Sequence, residues 1–391
     1  MTDSTSGQGP LTGIVVLDLT RVLAGPYCTM LLADLGARVI KIEPKTGDDS
    51  RQYGPWVNGR SAYFMSLNRG KESIALDLKN DSDRAVFEAL LPQADVLVEN
   101  YRPGTMTKLG YGWETLKERF PRLIYAASSG FGQTGPYARR PAYDLVVQGM
   151  GGIMSLTGHP GGPPTRVGTS VGDITAGLFT AIGINAALVE RSRTGKGQMV
   201  DVAMLDCQLA ILENAVARYF ATGKAPAPTG ARHPAIAPFE PFATSDGHVV
   251  IAAGNDALFR RACETLGMPE LADDPMFATN DARFENVLAL KARFEALLQG
   301  QTTDHWLALL EEAGIPCGPL NDVAQALNME QTKARNMVVD IAGEEAGGLR
   351  TAGNPIKLSG HADPDFRGRA PDLDADRERI LQALNLPTGQ A

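Results

Sequence analysis

Cysteine is scarce: there are four in 391 residues, at Cys28, Cys207, Cys263 and Cys317, with no C-x-x-C pair and no repeating interval. That scatter argues against a disulfide framework or a thiolate metal centre, and it predicts a reducing, cytoplasmic setting. Histidine is nearly as scarce. His159, His233, His248, His305 and His361 share no ligand spacing, so no metal site is expected. Positive charge is also short, with 37 Lys and Arg against 45 Asp and Glu for a net −8, which argues against nucleic acid as a partner. A local basic pocket for a phosphorylated small molecule remains compatible with that balance.

Long apolar runs are missing too. The uncharged stretch Ile174–Val189 is interrupted by Thr175, Thr180 and Asn185, and it is shorter than the roughly 20 apolar residues of a membrane span. Leu145–Thr165 is uncharged but full of glycine and proline. Met1–Pro10 is polar, with neither a basic nor an apolar segment of a secretory signal. No membrane partner is predicted. Neither Walker spacing nor G-x-G-x-x-G follows the first apolar run.

What remains is ordinary globular composition, 43% hydrophobic and 21% charged. The length exceeds the roughly 100–200 residues of one domain, which predicts two lobes. Short β-branched runs at Gly13–Leu19, Ala37–Glu43, Ser73–Leu78, Ala94–Glu99 and Arg122–Ser128 alternate with helical stretches such as Tyr27–Leu35 and Ser82–Leu91. Strands buried on both faces with helices between them predict an α/β fold with a doubly wound parallel sheet. Its ligand lies at the carboxyl ends of the strands, where Asn100, Ser128 and Ser129 fall. Pro226, Pro228, Pro234, Pro238 and Pro241 mark an extended linker. A strand at Gly247–Ala253 and helices at Ala257–Leu266, Asn286–Leu298 and Thr303–Ala313 then form a smaller inserted α/β domain. The predicted division is 1–222 plus 330–391 for the large domain and 223–329 for linker and small domain, with a loop-rich acidic tail from about Asp340.

Asp173 opens the apolar segment Ile174–Val189, the usual place for an N-cap. A carboxylate at a helix start beside glycines also suits a nucleophile that needs no general base. Gly151, Gly152, Gly161, Gly162 and Gly168 would let backbone amides approach a developing oxyanion. The residues alone leave capping and catalysis both open.

Seven segments carry a resemblance that decides between them. They are Val16–Pro26 (VLDLTRVLAGP), Leu35–Pro44 (LGARVIKIEP), Leu67–Lys71 (LNRGK), Asp95–Gly104 (DVLVENYRPG), Gly130–Pro136 (GFGQTGP), Arg193–Gln198 (RTGKGQ) and Gly314–Pro319 (GIPCGP). In this order the chain resembles the family III CoA-transferases, the CaiB/BaiF group that includes formyl-CoA transferases and 2-methylacyl-CoA racemases. The likeness runs from Leu11 to about Ser359.

The resemblance implies that Asp173 is the nucleophile. It implies coenzyme A contacts at Val22, Leu23, Ala24, Asn68, Arg69, Lys71, Asn100, Tyr101, Lys108 and Tyr143, with CoA entering as an acyl-CoA co-substrate and no metal. It also implies an interlocked homodimer. Formyl-CoA transferases carry a Gln at Leu23, and their mobile glycine run corresponds to Ala253–Asp256 around Gly254. Racemases carry a His at Tyr143, beside Asp144, so loss of that acid/base disfavours racemisation. The implied chemistry moves CoA between carboxylic acids through aspartyl anhydride and aspartyl-CoA thioester intermediates. The wording of Thr20–Pro26 and Phe131–Pro136 is similar to the branch acting on succinate, glutarate, itaconate or mesaconate. A distal carboxylate would call for an arginine fork, with Arg21, Arg166 and Arg232 as candidates and Arg139–Arg140 less so, since paired arginines on a loop are usually solvated. His233 would orient substrate or simply satisfy the linker backbone. The competing readings are a 2-methylacyl-CoA racemase and a non-catalytic CoA- or nucleotide-binding protein.

Overall fold

A computed structural model describes residues 9–387, so the leaderless reading of Met1–Pro10 lies outside them except at Gly9 and Pro10. The chain divides into two compact units: residues 1–154, 166–224 and 330–391, and residues 155–165 with 225–329. The segment 155–165 was expected in the large domain. It instead groups with the second unit, where the Gly230 N–H donates to the Gly158 carbonyl at 3.0 Å.

In chain order the first unit contains β1 (Val15–Asp18), α1 (Ala24–Asp34) and β2 (Arg38–Glu43), then a small ribbon of β3 (Trp56–Val57) and β4 (Arg60–Ser61). It continues with α2 (Ala62–Asn68), β5 (Glu72–Ala75), α3 (Asp81–Leu90), β6 (Val96–Glu99), α4 (Thr105–Leu109) and α5 (Trp113–Arg119). Next come β7 (Ile124–Ser129), α6 (Asp144–Met150), α7 (Val171–Thr194), β8 (Met199–Ala203), α8 (Met204–Ile211) and α9 (Asn214–Thr222). The main sheet has the order β5-β2-β1-β6-β7-β8, with every pairing parallel. This is the predicted doubly wound sheet.

Alternation along each strand builds two cores. Leu17, Ile40, Ile42, Ile74 and Leu97 pack with Phe87 of α3 and Leu116 of α5. Val16, Val39, Val96, Val98, Ile124 and Ala126 pack with Cys28, Leu31 and Leu32 of α1 and Ala181, Ile184 and Ala187 of α7. Strands with both faces covered carry apolar residues on each side, many of them β-branched here. α7 runs past both ends of the predicted segment and is long and apolar enough to cross a membrane. One side of it lies on the sheet, while Leu178, Phe179, Ile182 and Val189 remain exposed.

The second unit holds β9 (Phe239–Ala243), β10 (His248–Ala252), α10 (Asp256–Thr265), α11 (Asn280–Glu285), α12 (Val287–Leu298), α13 (Thr303–Glu312), β11 (Cys317–Pro319) and α14 (Val323–Asn328). Its sheet, β11-β10-β9, is antiparallel and packs through Phe242, Val249 and Ile251 onto Phe259, Phe294 and Trp306.

Back in the first unit, α15 (Glu330–Ala334), β12 (Val338–Ile341), β13 (Arg350–Ala352), β14 (Phe366–Arg367) and α16 (Arg377–Ala383) complete the chain. The tail expected to be loop-rich thus carries a third small sheet, β13-β12-β14. It also covers the open edge of β5, where Asp376 accepts from the Ser73 N–H at 2.8 Å and Asp374 from the Ala75 N–H at 2.7 Å. Blocking an edge in this way removes a template for unwanted pairing.

Candidate active site

The carboxyl ends of β1, β6 and β7 open on a cleft of about 560 Å³, lined by Arg21–Ala24, Asn100–Pro103, Ser128–Gly130, Arg140–Tyr143, Asp49, Thr105, Asp173 and Met204. This is the crevice that a doubly wound sheet offers to ligands. α1 and α7 both begin here. Their close approach depends on Gly177, one turn beyond Asp173, where an added Cβ would come within 2.7 Å of the Ala24 carbonyl oxygen.

Asp173 sits in the first turn of α7 but does not cap it. The N-cap position is Ser170, which makes no side-chain cap bond. Asp144, the first residue of α6, does that work from outside the helix. Its Oδ1 accepts the Gly172 N–H at 2.8 Å, and its Oδ2 accepts from Gln148 Nε2 at 2.8 Å. Gln148 in turn takes the Val167 N–H at 2.9 Å, which fixes the approach to the helix. Among the described residues no hydrogen bond reaches the Asp173 carboxylate. Burial, and then the Asp144 charge, push its pKa up to about 7. The Tyr63 phenol of α2 is pushed up to about 12 by its own burial, with the Asp173 charge next.

Asn100 holds the loop after β1 from the opposite wall. It accepts the Arg21 N–H and donates to the Arg21 carbonyl, both at 2.8 Å. Below it, burial raises the Glu99 carboxyl to about 7 although it accepts the Tyr101 N–H at 2.7 Å. Ser128 is 2% exposed, and among the described residues its hydroxyl has no hydrogen-bond partner, an exception for a buried hydroxyl. Three guanidinium-bearing side chains, Arg21, Arg102 and Arg140, share the lining. Arg21 pairs with Asp49, and Arg140 lies over the Tyr137 ring at 3.8 Å.

The cleft therefore gathers Asp173, Arg21, Val22, Leu23, Ala24, Asn100, Tyr101 and Tyr143 of the residues singled out from sequence. Others lie elsewhere. Asn68 is fully buried, and Arg69 pairs with Asp34 at 2.8 Å, 3% exposed. The Lys71 ammonium is enclosed by Asp18 at 3.0 Å, Thr29 at 2.8 Å, Asn68 at 2.9 Å and the Pro26 carbonyl at 3.2 Å. The side chains of these three are buried in this chain, and none of them lines the cleft. Lys108 is exposed on α4, and Arg166 is exposed outside the lining. Arg232, His233 and Gly254 belong to the second unit, where His233 stacks on Phe239 with ring centroids 5.1 Å apart.

Sequence reasoning passed over Arg102 and ranked Arg140 below the other arginines, although both line the cleft. It also passed over a neighbouring recess of about 390 Å³ that shares Arg21, Tyr101 and Thr105 with the cleft and is walled by Pro44–Thr46 and Leu76–Lys79. The available signal was the position of Leu76–Lys79 directly after β5, at the ligand-binding edge. Among the described residues no group of His, Cys, Asp and Glu could hold a metal ion.

The family model of CoA-transferase family III matches residues 11–377. The chain is 53% identical to an acetyl-CoA:oxalate CoA-transferase of Acetobacter aceti, over 99% of each. It is 41% identical to a succinate–glutarate CoA-transferase of Agrobacterium fabrum, over 98% of each. It is 42% identical to a succinyl-CoA:mesaconate CoA-transferase of Haloarcula hispanica, again over 98% of each. A crystal structure of a CaiB/BaiF family protein from Brucella suis superimposes with a TM-score of 0.85 at 42% identity, covering 96% of this chain and 100% of that one.

Proposed function

The chain belongs to CoA-transferase family III, and from that membership we propose that it moves CoA between a CoA thioester and a free dicarboxylate, with Asp173 as the covalent carrier. The carrying observation is Asp173 itself: a half-buried carboxylate in the lining of the ligand cleft that accepts no hydrogen bond from the other described residues. An oxygen anion stripped of partners and raised in basicity is a better nucleophile than a solvated one.

Asp173 attacks the thioester carbonyl, the C–S bond breaks, and an aspartyl anhydride forms beside the CoA thiolate. The thiolate attacks the Asp173 carbonyl, releasing the first acid as its carboxylate and leaving an aspartyl thioester. The acceptor carboxylate attacks this thioester, expels the thiolate and forms a second anhydride. Return of the thiolate to the acceptor acyl carbon regenerates the Asp173 carboxylate. No proton is gained or lost overall. Anhydride and thioester both hydrolyse, so the enclosed position of Asp173 favours exchange over loss to water. The unpartnered Ser128 hydroxyl supports the cleft as a place for polar parts of the acyl-CoA, and the adjoining recess offers Lys45 and Lys79 to its phosphates.

Oxalate, glutarate and mesaconate, named for the three relatives, share a second carboxylate. Arg21, Arg102 and Arg140 are the groups here that would receive it. With acetyl-CoA or succinyl-CoA as donor, a panel of oxalate, succinate, glutarate, mesaconate, itaconate and acetate read by mass spectrometry is expected to yield dicarboxyl-CoA products. Transfer to acetate alone, or to no acceptor, would overturn the reading. The exposed Leu178, Phe179, Ile182 and Val189 of α7 support a homodimer that covers them, and the four unpaired cysteines suit the cytoplasm.

The raised pKa gives a pH dependence of definite sign. The carboxylate is the reactive form, so kcat/KM is expected to climb with pH to a plateau, about tenfold below it one unit under a midpoint near 7. Asp144→Asn keeps an acceptor for the Gly172 N–H but removes the like charge. Its midpoint is expected at lower pH, and an unmoved acid limb would refute this assignment.

A further inference from the structure

The loop joining β1 to α1 is held by buried charges that no step of the reaction uses. The Thr20 N–H donates to Asp18 at 2.9 Å, and the Thr20 carbonyl accepts from Lys41 Nζ at 2.8 Å. Asn100 occupies both polar groups of the Arg21 backbone. The Val22 N–H donates to the two Asp48 oxygens at 3.2 and 3.3 Å. Asp48 is 2% exposed and is itself fixed by Lys41 at 2.9 Å and by the Ser50 N–H at 2.9 Å.

Val22 is the strained member. Its φ is 67°, in the left-handed region, where a β-branched side chain is an outlier. Such a conformation persists only where the surroundings impose it, and it clusters at functional sites. The consequence lies one residue on. Leu23 and Ala24 line the cleft, and among the described residues their N–H groups make no hydrogen bond to the protein. The unpartnered hydroxyl of Ser128 lines the same cleft.

We propose that Asp48 is a positioning residue for the transfer reaction: seated on Lys41 and bonded to the Val22 amide, it keeps Val22 left-handed so that the Leu23 and Ala24 amides face the cleft. The proposal rests on Asp173 as the acyl carrier, because those amides then serve the oxyanion of each tetrahedral adduct at that carboxylate. Donors aimed at charge that exists only in the transition state act on kcat. An unclamped valine would relax to negative φ and turn the following peptide away.

Glycine adopts φ near +67° without penalty, so it should need no clamp. The test is a four-enzyme cycle of wild type, Asp48→Ala, Val22→Gly and the double variant, with thermal melts to verify folding. Asp48→Ala removes the acceptor of the Val22 N–H and is expected to lower kcat about 100-fold and to move KM for the acyl-CoA less than about threefold. Val22 lines the cleft, so Val22→Gly is the reference for the double variant, which should fall within about fivefold of it in kcat. A merely structural Asp48 would lose the same factor in either background. A folded Asp48→Ala with wild-type kcat, or a double variant about 100-fold below Val22→Gly, overturns the proposal. Should Asp48→Ala not fold, Val22→Pro decides: proline forbids positive φ and lacks the N–H while leaving the buried ions intact. It is expected to lose kcat as Asp48→Ala would, and a folded Val22→Pro with undiminished kcat overturns the clamp. Asp173→Asn runs alongside; exchange surviving in that variant removes the underlying reading, whatever the Val22 cycle shows.

Discussion

Asp173→Asn is expected to abolish CoA exchange, with kcat down on the order of 10⁴-fold or more, while the protein folds and still binds acyl-CoA. An amide of nearly the same shape fills the same space, but it cannot open a thioester to an anhydride. Incubation of the wild type with acyl-CoA and hydroxylamine or borohydride should leave a modification at position 173, readable by peptide mass spectrometry, and the variant should show none. Retained exchange in the variant, or trapping at some other residue, would falsify the covalent route.

The same substitution should make the protein more stable, and the pH at which it does so follows from the raised pKa. Burial and the nearby Asp144 lift the carboxyl from 3.8 to about 7. A group with its folded pKa raised contributes stability that is present below the unfolded value near 3.8 and lost as pH rises to the folded value near 7. Wild type therefore weakens across that window relative to the variant and stays level above it. At about 1.4 kcal/mol per unit, the difference at pH 8 has a ceiling of about 4 kcal/mol, reduced by the water that reaches the cleft. Urea midpoints of the two proteins should coincide near pH 4 and separate by pH 8. Coincidence at both values would mean that Asp173 is not held in the raised state.

Much of the sheet was legible because its physical cause is local. Val15–Asp18, Arg38–Glu43 and Val96–Glu99 are short β-branched runs, and runs buried on both faces leave that mark in composition. Asp173 was legible as a helix-start carboxylate, but the residues alone could not separate a cap from a nucleophile. The separation is tertiary: Asp144, 29 positions earlier, satisfies the Gly172 N–H and so leaves Asp173 unspent. The third sheet escaped notice because β12, β13 and β14 are two to four residues long and half exposed, too short for any period to register. Arg140 ranked low because side-chain direction is not written in a dipeptide of arginines. Its place over Tyr137 and in the cleft lining depends on how the loop after β7 folds back.

Lys71 shows what folding adds to a charge whose role the sequence leaves open. It lies in LNRGK, and only the family resemblance implies its contact with CoA. In the fold its ammonium is wholly buried against Asp18, which is also fully buried. Burial opposes the Asp18 charge, but Lys71 and Lys41 outweigh it and hold the carboxyl well below its usual range. Lys71 is pushed down to about 8 by burial, with Asp18 resisting, so both groups stay ionised near neutrality. Removing one member of such a pair strands the other in low dielectric, whereas removing both is far milder. Lys71→Met is therefore expected to cost about 3 kcal/mol of stability, tempered by Lys41 nearby, and Lys71→Met with Asp18→Asn should regain a large part of that loss. Chemical denaturation of the two variants measures it. The discriminating readout is KM for the acyl-CoA below the melting range of each protein. A supporting lysine leaves it within about twofold of wild type, whereas a phosphate ligand would raise it about tenfold, with a shallower dependence on salt. A large, salt-sensitive rise in KM with stability unchanged would return Lys71 to the ligand and take it out of the core.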